Sequence, residues 1–502
     1  SIITAFFTNG ETGTTELNFI FYTTTKITLM KHLFILPLLF LSLILFAQDS
    51  KKPDYSEAIR LIDLWLNGIR DFHKLPGISV AIVDDQQMIW SKAYGFADID
   101  TKTTSEATTI YSICSISKLF TSVAIMQLWE AGKLHLDDSV AAVLPSFDLH
   151  QQYAGSGPIT IRSLLTHSSG LPRESDFPYW SAPDFNFPTE EEVKEKFKTQ
   201  QTLYPASTYF QYSNLGLSIL GEIVEKISGM RYEDYVEENI LKPLRLNDTH
   251  PWLPQDQLGK KLATGYSSLY RDGSRKKLSF FQAKGIVAAA GFSSSAEDLA
   301  RFMSWQFRLL NKNEKEILRP STLKEMLRVQ WMNPDWKLSW GLGFRVWQSN
   351  GITYTGHGSS CPGYATQLLT IPSEKLGAAV MINGQGTQPS VYATAILNIL
   401  KKAKAGKPSN DSLHLGDYAG YYDDFAWQGE VIVVPWQDKL AVLENPTNTP
   451  TEDMALLKPV SHDIFRRIRS DETPGEEVRF ERDNTGKIIR MWRNSNFINK
   501  IK

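Results

Sequence analysis

The stretch Tyr111–Gly132, YSICSISKLFTSVAIMQLWEAG, constrains this chain more than any other. Ile116, Leu119, Phe120, Val123 and Met126 recur at helical spacing, so the segment reads as a buried helix with Gly132 as its C-terminal stop. Ser115 opens that helix and Lys118 follows one turn on; positions i and i+3 share a face, which brings the amine within reach of the hydroxyl. A serine hydroxyl needs a neighbouring base to become a nucleophile, and a lysine in apolar surroundings shifts toward its neutral form. The free N–H groups of the first turn favour negative charge developing there.

The S-x-x-K pattern also occurs at Ser274 with Lys277 and at Ser321 with Lys324. Ser274 lies in the solvated run RDGSRKK, and Ser321 follows Pro320 where an N-cap serine is expected. Only Ser115 opens an apolar helix. Further along, Tyr212-Ser213-Asn214 is the one Y-x-N of the chain, and TYTGHGSSCPGYATQLLTI (353–371) places His357, Gly358 and Ser359 just ahead of an alternating strand pattern.

These three elements in this order resemble the serine beta-lactamase and penicillin-binding protein superfamily, and within it the class C beta-lactamase-related serine hydrolases and esterases. Segments such as ITIRSLLTHSSGL (159–171), AAAGFSSSAEDLARFM (288–303) and WGLGFRV (340–346) extend the resemblance over roughly residues 55–400. It implies an α+β fold: an antiparallel sheet flanked by helices plus a mostly helical lobe, with the cleft between them. It also implies a serine hydrolase that acts through a covalent acyl-enzyme on an ester or amide, without a cofactor or metal. Ser115 is then the nucleophile, and Lys118 and Tyr212 share removal of its proton, with a Lys118 ammonium drawing the phenol toward working pH. Asn214, His357, Gly358 and Ser359 bind or orient substrate, with a cap on the helix that follows as the blander alternative for Asn214. Backbone N–H groups of Ser115 and Ser360 form the oxyanion hole. Gly356, Gly358 and Gly363 suit a place where substrate approaches backbone closely, and His167 reads as a structural hydrogen-bonder.

His357 stands where penicillin-interactive members carry lysine. Histidine is largely neutral at pH 7 and provides no fixed charge for a substrate carboxylate. Gly358 and Ser359 also depart from the usual hydroxyl-then-glycine order. The expectation is an esterase-like or peptidase-like enzyme with weak or no beta-lactamase activity; the alternatives are a beta-lactamase or D-alanyl-D-alanine carboxypeptidase, or a penicillin-binding sensor without turnover. A Ser-His-Asp hydrolase is disfavoured because no G-x-S-x-G elbow occurs, and a metallohydrolase because H-E-x-x-H is absent and the 9 histidines are scattered.

With 42% hydrophobic and 22% charged residues the chain is globular, and its 502 residues suggest two domains. A net charge of −2 without a long basic run argues against nucleic acid and anionic membranes, leaving a small-molecule or peptide acyl substrate as the partner. Met30 begins MKHLFILPLLFLSLILFAQ, a signal peptide (30–47) with cleavage near Ala47, so a secreted or periplasmic protein is expected and residues 1–29 read as a non-native extension. The apolar run is short for a membrane span, so none is expected in the mature chain. Cys114 and Cys361, the 2 cysteines, both border the expected cleft; they read as small buried hydrophobes, with a bridge between them as the rarer alternative.

The expected hydrolase domain covers 53–404, with a helix over 53–72, a hairpin about Asp84–Gln87, a second hairpin about Pro372–Glu374 and a helix over 390–404. Residues 405–412 read as a linker, and 413–502 as a small all-β, barrel-like domain. That tail resembles the lipocalin-like domain appended to some of these hydrolases, on Tyr418–Tyr422 and Phe465–Arg467. Its tryptophans, Trp427, Trp436 and Trp492, are expected in the core.

Overall fold

The computed structural model describes residues 53–501, apart from 146, 148, 150, 407–413 and 427–428. The expected extension and signal peptide, most of the expected linker, and Trp427 lie outside the described residues. The following description concerns the unit Asp54–Lys502.

Its first helix, α1 (Ser56–Phe72), leads into the hairpin β1 (Gly77–Asp84) and β2 (Gln87–Asp98), then β3 (Thr103–Thr104) and β4 (Ile110–Ser112). The helical lobe follows, with α2 (Ser117–Glu130) and α3 (Asn214–Ser228) as its main members. The short β5 (Ser293–Ser295) pairs with β4 and is followed by α4 (Ala296–Asn311). Strands β6 (Trp331–Met332), β7 (Ser339–Trp340), β8 (Arg345–Ser349), β9 (Ile352–Cys361), β10 (Tyr364–Ile371) and β11 (Leu376–Ile382) complete a nine-stranded antiparallel sheet. Its order, β3-β2-β1-β11-β10-β9-β8-β7-β6, joins strands from both ends of the region, because β1 pairs with β11. The hairpins about Asp84–Gln87 and Pro372–Glu374 form as expected.

Apolar runs in β1, β10 and β11 are buried on both faces, as their near-continuous Val, Ile, Leu and Ala content requires. Ala81, Leu368 and Ala379 face the helical lobe, whereas Val80, Leu369 and Val380 face α1 and α5 (Pro389–Ala405). Beyond α5 come β12 (Gly420–Tyr422), β13 (Glu430–Trp436), β14 (Lys439–Asn445), β15 (Ala455–Ser461), β16 (Ile464–Ile468), β17 (Pro474–Arg482), β18 (Ile488–Arg493) and β19 (Asn496–Asn499), an antiparallel meander. A bridge from Tyr422 to Lys500 and the bond from Ile501 N–H to Tyr421 O (2.8 Å) close it into a barrel. Trp436 is buried as expected, but Trp492 is only half-buried, on the outside, its ring tilted against Phe497 with the centres 5.0 Å apart.

One core serves both parts. Trp65 and Leu66 of α1 join Ile432, Val434 and Leu443 of the barrel, and Trp65 donates through Nε1 to Thr447 O at 2.8 Å. The Tyr421 hydroxyl donates back to Leu64 O at 2.6 Å.

Candidate active site

The helix at the heart of the sequence begins later than its apolar pattern. Cys114–Ile116 forms a 3-10 turn and α2 starts only at Ser117. Cys114 has φ +39°, a left-handed value that a residue with a side chain adopts only when its surroundings impose it. The Ser117 hydroxyl holds the turn by donating to Cys114 O and accepting Phe292 N–H at 3.0 Å. Ser115 is thereby raised at the mouth of the turn, partly exposed. The Gly132 stop forms as expected: φ is +67°, and Lys133 N–H closes onto Leu128 O at 3.0 Å.

Lys118 is fully buried. Its Nζ lies 2.7 Å from Asn214 Oδ1, 2.7 Å from Ala289 O and 3.4 Å from Ser115 Oγ. Burial pushes its pKa down to about 7, against the opposing pull of Cys114 and Glu174. A neutral amine has two N–H bonds and one lone pair. The two shorter contacts go to oxygens that only accept, so they take both N–H bonds and leave the lone pair toward Ser115.

Asn214 does not cap α3. Ser213 does, its hydroxyl accepting Gly216 N–H at 2.9 Å, and this frees the Asn214 amide. Asn214 Nδ2 donates to both carboxylate oxygens of Glu174, at 2.8 and 3.0 Å, so its Oδ1 must face Lys118. Glu174 also accepts Trp180 Nε1–H at 3.0 Å and the Tyr179 hydroxyl. Glu174, Asn214, Lys118 and Ser115 thus form one polar chain.

Tyr212 comes from the same segment as Asn214. Its ring packs tilted against His167, the ring centres 4.3 Å apart, and carries Lys118 Nζ at 4.8 Å and Arg173 Cζ at 4.9 Å from its centroid. His167 is the expected structural hydrogen-bonder: its Nδ1 accepts Ser213 N–H at 3.1 Å, and burial keeps it neutral. The expectation for the phenol itself is reversed. Burial pushes Tyr212 well above its usual pKa, outweighing its hydrogen bond with Ser115, so it stays protonated.

Strand β9 supplies the other wall. His357 is buried, its Nδ1 2.6 Å from Gly358 O, and a carbonyl only accepts, so Nδ1 carries the proton. Burial and the Lys118 charge push its pKa down to about 3. Trp340 packs at 5.6 Å from the His357 ring and 5.1 Å from the His167 ring. Gly358 and Ser360 are exposed and Ser359 is partly so, while Ser360 O meets the Cys114 thiol at 3.7 Å, which sets β9 beside the Ser115 turn. Two expected substrate-facing glycines have internal reasons instead. At Gly356 (φ +151°) a Cβ would lie 2.1 Å from Leu368 O, and at Gly363 (φ +87°) 2.4 Å from Gly265 Cα. Both cysteines are buried free thiols. The other S-x-x-K pairs stand apart: Ser274 donates to Asp272, and Ser321 sits inside a first turn whose N-cap is Arg319.

The model of the family described as Beta-lactamase matches residues 65–401. The chain belongs to the beta-lactamase family. It is 28% identical over 341 residues to the beta-lactamase-like protein 2 of Dictyostelium discoideum, covering 66% of the chain and 60% of that relative. It is 32% identical over 176 residues to protein flp of Staphylococcus aureus (strain MW2), covering 35% and 34% of the two chains. The match therefore spans less than two thirds of either relative's length. Among solved structures, the octameric penicillin-binding protein homologue from Pyrococcus abyssi superposes with a TM-score of 0.61 at 25% identity, covering 88% of this chain and 100% of that one. That share exceeds the residues matched by the family model, so the similarity reaches into the C-terminal barrel.

Glu174, Ala289, Trp340 and Arg173 complete the site and were not anticipated. None stands at a fixed spacing from a motif; the one available signal was that a buried lysine needs acceptors beyond its serine.

Proposed function

We propose that this family member hydrolyses esters or amides through an acyl-enzyme on Ser115, in the manner of an esterase or peptidase and with little beta-lactamase activity. The observation that carries this reading is the Lys118 amine, held by Asn214 and Ala289 with its lone pair left for the Ser115 proton 3.4 Å away. Ser115 Oγ attacks the carbonyl carbon while Lys118 takes its proton. The oxyanion is received by the Ser115 and Ser360 N–H groups. Tyr212, protonated, passes its proton to the leaving oxygen or nitrogen and is refilled from Lys118, which is then neutral again to draw a proton from the deacylating water.

His357, neutral and without a lysine's charge, supports weak recognition of a substrate carboxylate. The Met30–Ala47 segment supports an exported enzyme. Intact mass after treatment with a fluorophosphonate and with a penicillin tests the reading, for the wild type and for Ser115→Ala. A fluorophosphonate adduct on the wild type alone is expected, with hydrolysis of p-nitrophenyl esters and slow nitrocefin turnover. Labelling of the alanine variant, or fast nitrocefin turnover without ester cleavage, overturns it.

A further inference from the structure

The C-terminal barrel holds a cavity of about 500 Å3, built from none of the residues around Ser115. Its floor is apolar: Val431, Val442, Leu457, Val478 and Met491. Its mouth carries Glu444, Arg467, Glu476 and Arg493, together with Asp453, whose carboxylate is already taken by the Thr447 and Thr449 hydroxyls. The register sets these at one end of the barrel, since Glu444 pairs with Val431, Arg467 with Leu457, and Arg493 with Val478. Residues two apart on a strand share a face. Glu444 follows Val442, Arg467 follows Phe465, Glu476 precedes Val478 and Arg493 follows Met491, so all four are on the inward face, where the opposite end of the barrel is filled by Tyr418, Tyr422, Phe465 and Phe480.

Inward positions of a small barrel are ordinarily filled by packing side chains. Here two arginines and two glutamates occupy them, and among the described residues none of the four side chains has an ion-pair or hydrogen-bond partner. Elsewhere on the same barrel such charges do pair: Arg482 with Asp463 at 3.0 Å, and Arg490 with Glu481 at 3.6 Å. Four unpaired charges of both signs over an apolar floor match a ligand with one cation, one anion and an apolar body. The volume lies within the range of about 300–1,000 Å3 usual for small-ligand sites.

We infer that the open end of the barrel binds a short apolar peptide as a zwitterion, its carboxylate received by Arg467 and Arg493, its ammonium by Glu444 and Glu476, and its side chains by the floor. A hydrolase that releases peptides or amino acids would then carry a site for such products, but the inference stands without that reading.

Calorimetric titration of the full chain carrying Ser115→Ala tests it with three probes: leucyl-leucine, its N-acetylated amide, and decanoate. Leucyl-leucine is expected to bind at millimolar concentrations or below, with the neutral amide and decanoate much weaker. Arg467→Gln with Arg493→Gln should weaken binding about tenfold or more, for two charge-assisted bonds lost. Glu444→Gln with Glu476→Gln should do the same, which keeps the test intact if one pair of variants fails to fold. The inference is overturned by no binding of leucyl-leucine, by equal binding of the neutral amide, by tighter binding of decanoate, or by binding that ignores both pairs of substitutions. None of these outcomes touches fluorophosphonate labelling of Ser115, so the two proposals fail separately.

Discussion

The cleft at Ser115 and the mouth of the barrel both gather charged groups, and they treat them in opposite ways. Around the cleft lysine each polar group has its partner: Lys118 has Asn214 and Ala289, Asn214 has Glu174, and Glu174 has Tyr179 and Trp180. At the barrel mouth Arg467, Arg493, Glu444 and Glu476 are left open over apolar residues. A satisfied buried network holds its members in one geometry, which proton transfer requires. Unanswered charges facing a cavity offer their interaction to something else.

The comparison breaks most sharply at Lys118. Lys118→Met should lower ester hydrolysis by about 10²–10⁴-fold, the usual share of a positioned base, while peptide binding at the barrel stays unchanged; equal loss of both would erase the distinction. In the wild type, hydrolysis should rise with pH through about 7, as Lys118 becomes neutral. The same depressed value has a stability consequence. Between about 7 and the unfolded value of 10.5 the unfolded chain binds more protons than the folded one, so stability rises with pH across that window. Below about 7 both states are protonated and the penalty of the buried charge is constant. Denaturant titrations at several pH values should show that slope in the wild type and a flatter one in the methionine variant.

A smaller effect should follow from Glu174→Gln. The glutamine keeps one acceptor for Asn214 where the carboxylate has two, and losing one such bond corresponds to about a tenfold drop in kcat. Because Glu174 holds the Lys118 pKa up, the basic rise of the pH profile should move to lower pH. A merely structural role would leave that midpoint in place. The smallest effect sharpens the seam between the regions. Trp65→Phe removes the bond to Thr447 O and should cost about 1–2 kcal/mol of stability with kcat unchanged, read from thermal unfolding and ester hydrolysis in parallel.

Much of this was legible in residue order. Ser115 and Lys118 lie three apart on an apolar helix pattern, and the paired strands β10 and β11 announce themselves by uninterrupted apolar runs about a short turn. These are local regularities, and local regularities survive in a one-dimensional string. Cys114 shows where they stop: nothing in YSICSISK indicates that its backbone turns left-handed and delays the helix until Ser117. Trp492 looked like core by residue type, yet which face of β18 meets solvent depends on how the meander closes.

The sequence alone singled out Ser115 with Lys118 and the all-β tail, because these rest on spacing or alternation within a few residues, while Tyr212 and the α+β framework came through the family resemblance. Only the tertiary structure decided the electrostatic surroundings of these three groups. Burial pushes the Tyr212 phenol up and the Lys118 amine down to about 7, and burial is a property of everything packed around a group: Asn214 and Ala289, distant from Lys118 in the chain, meet at the amine only after folding.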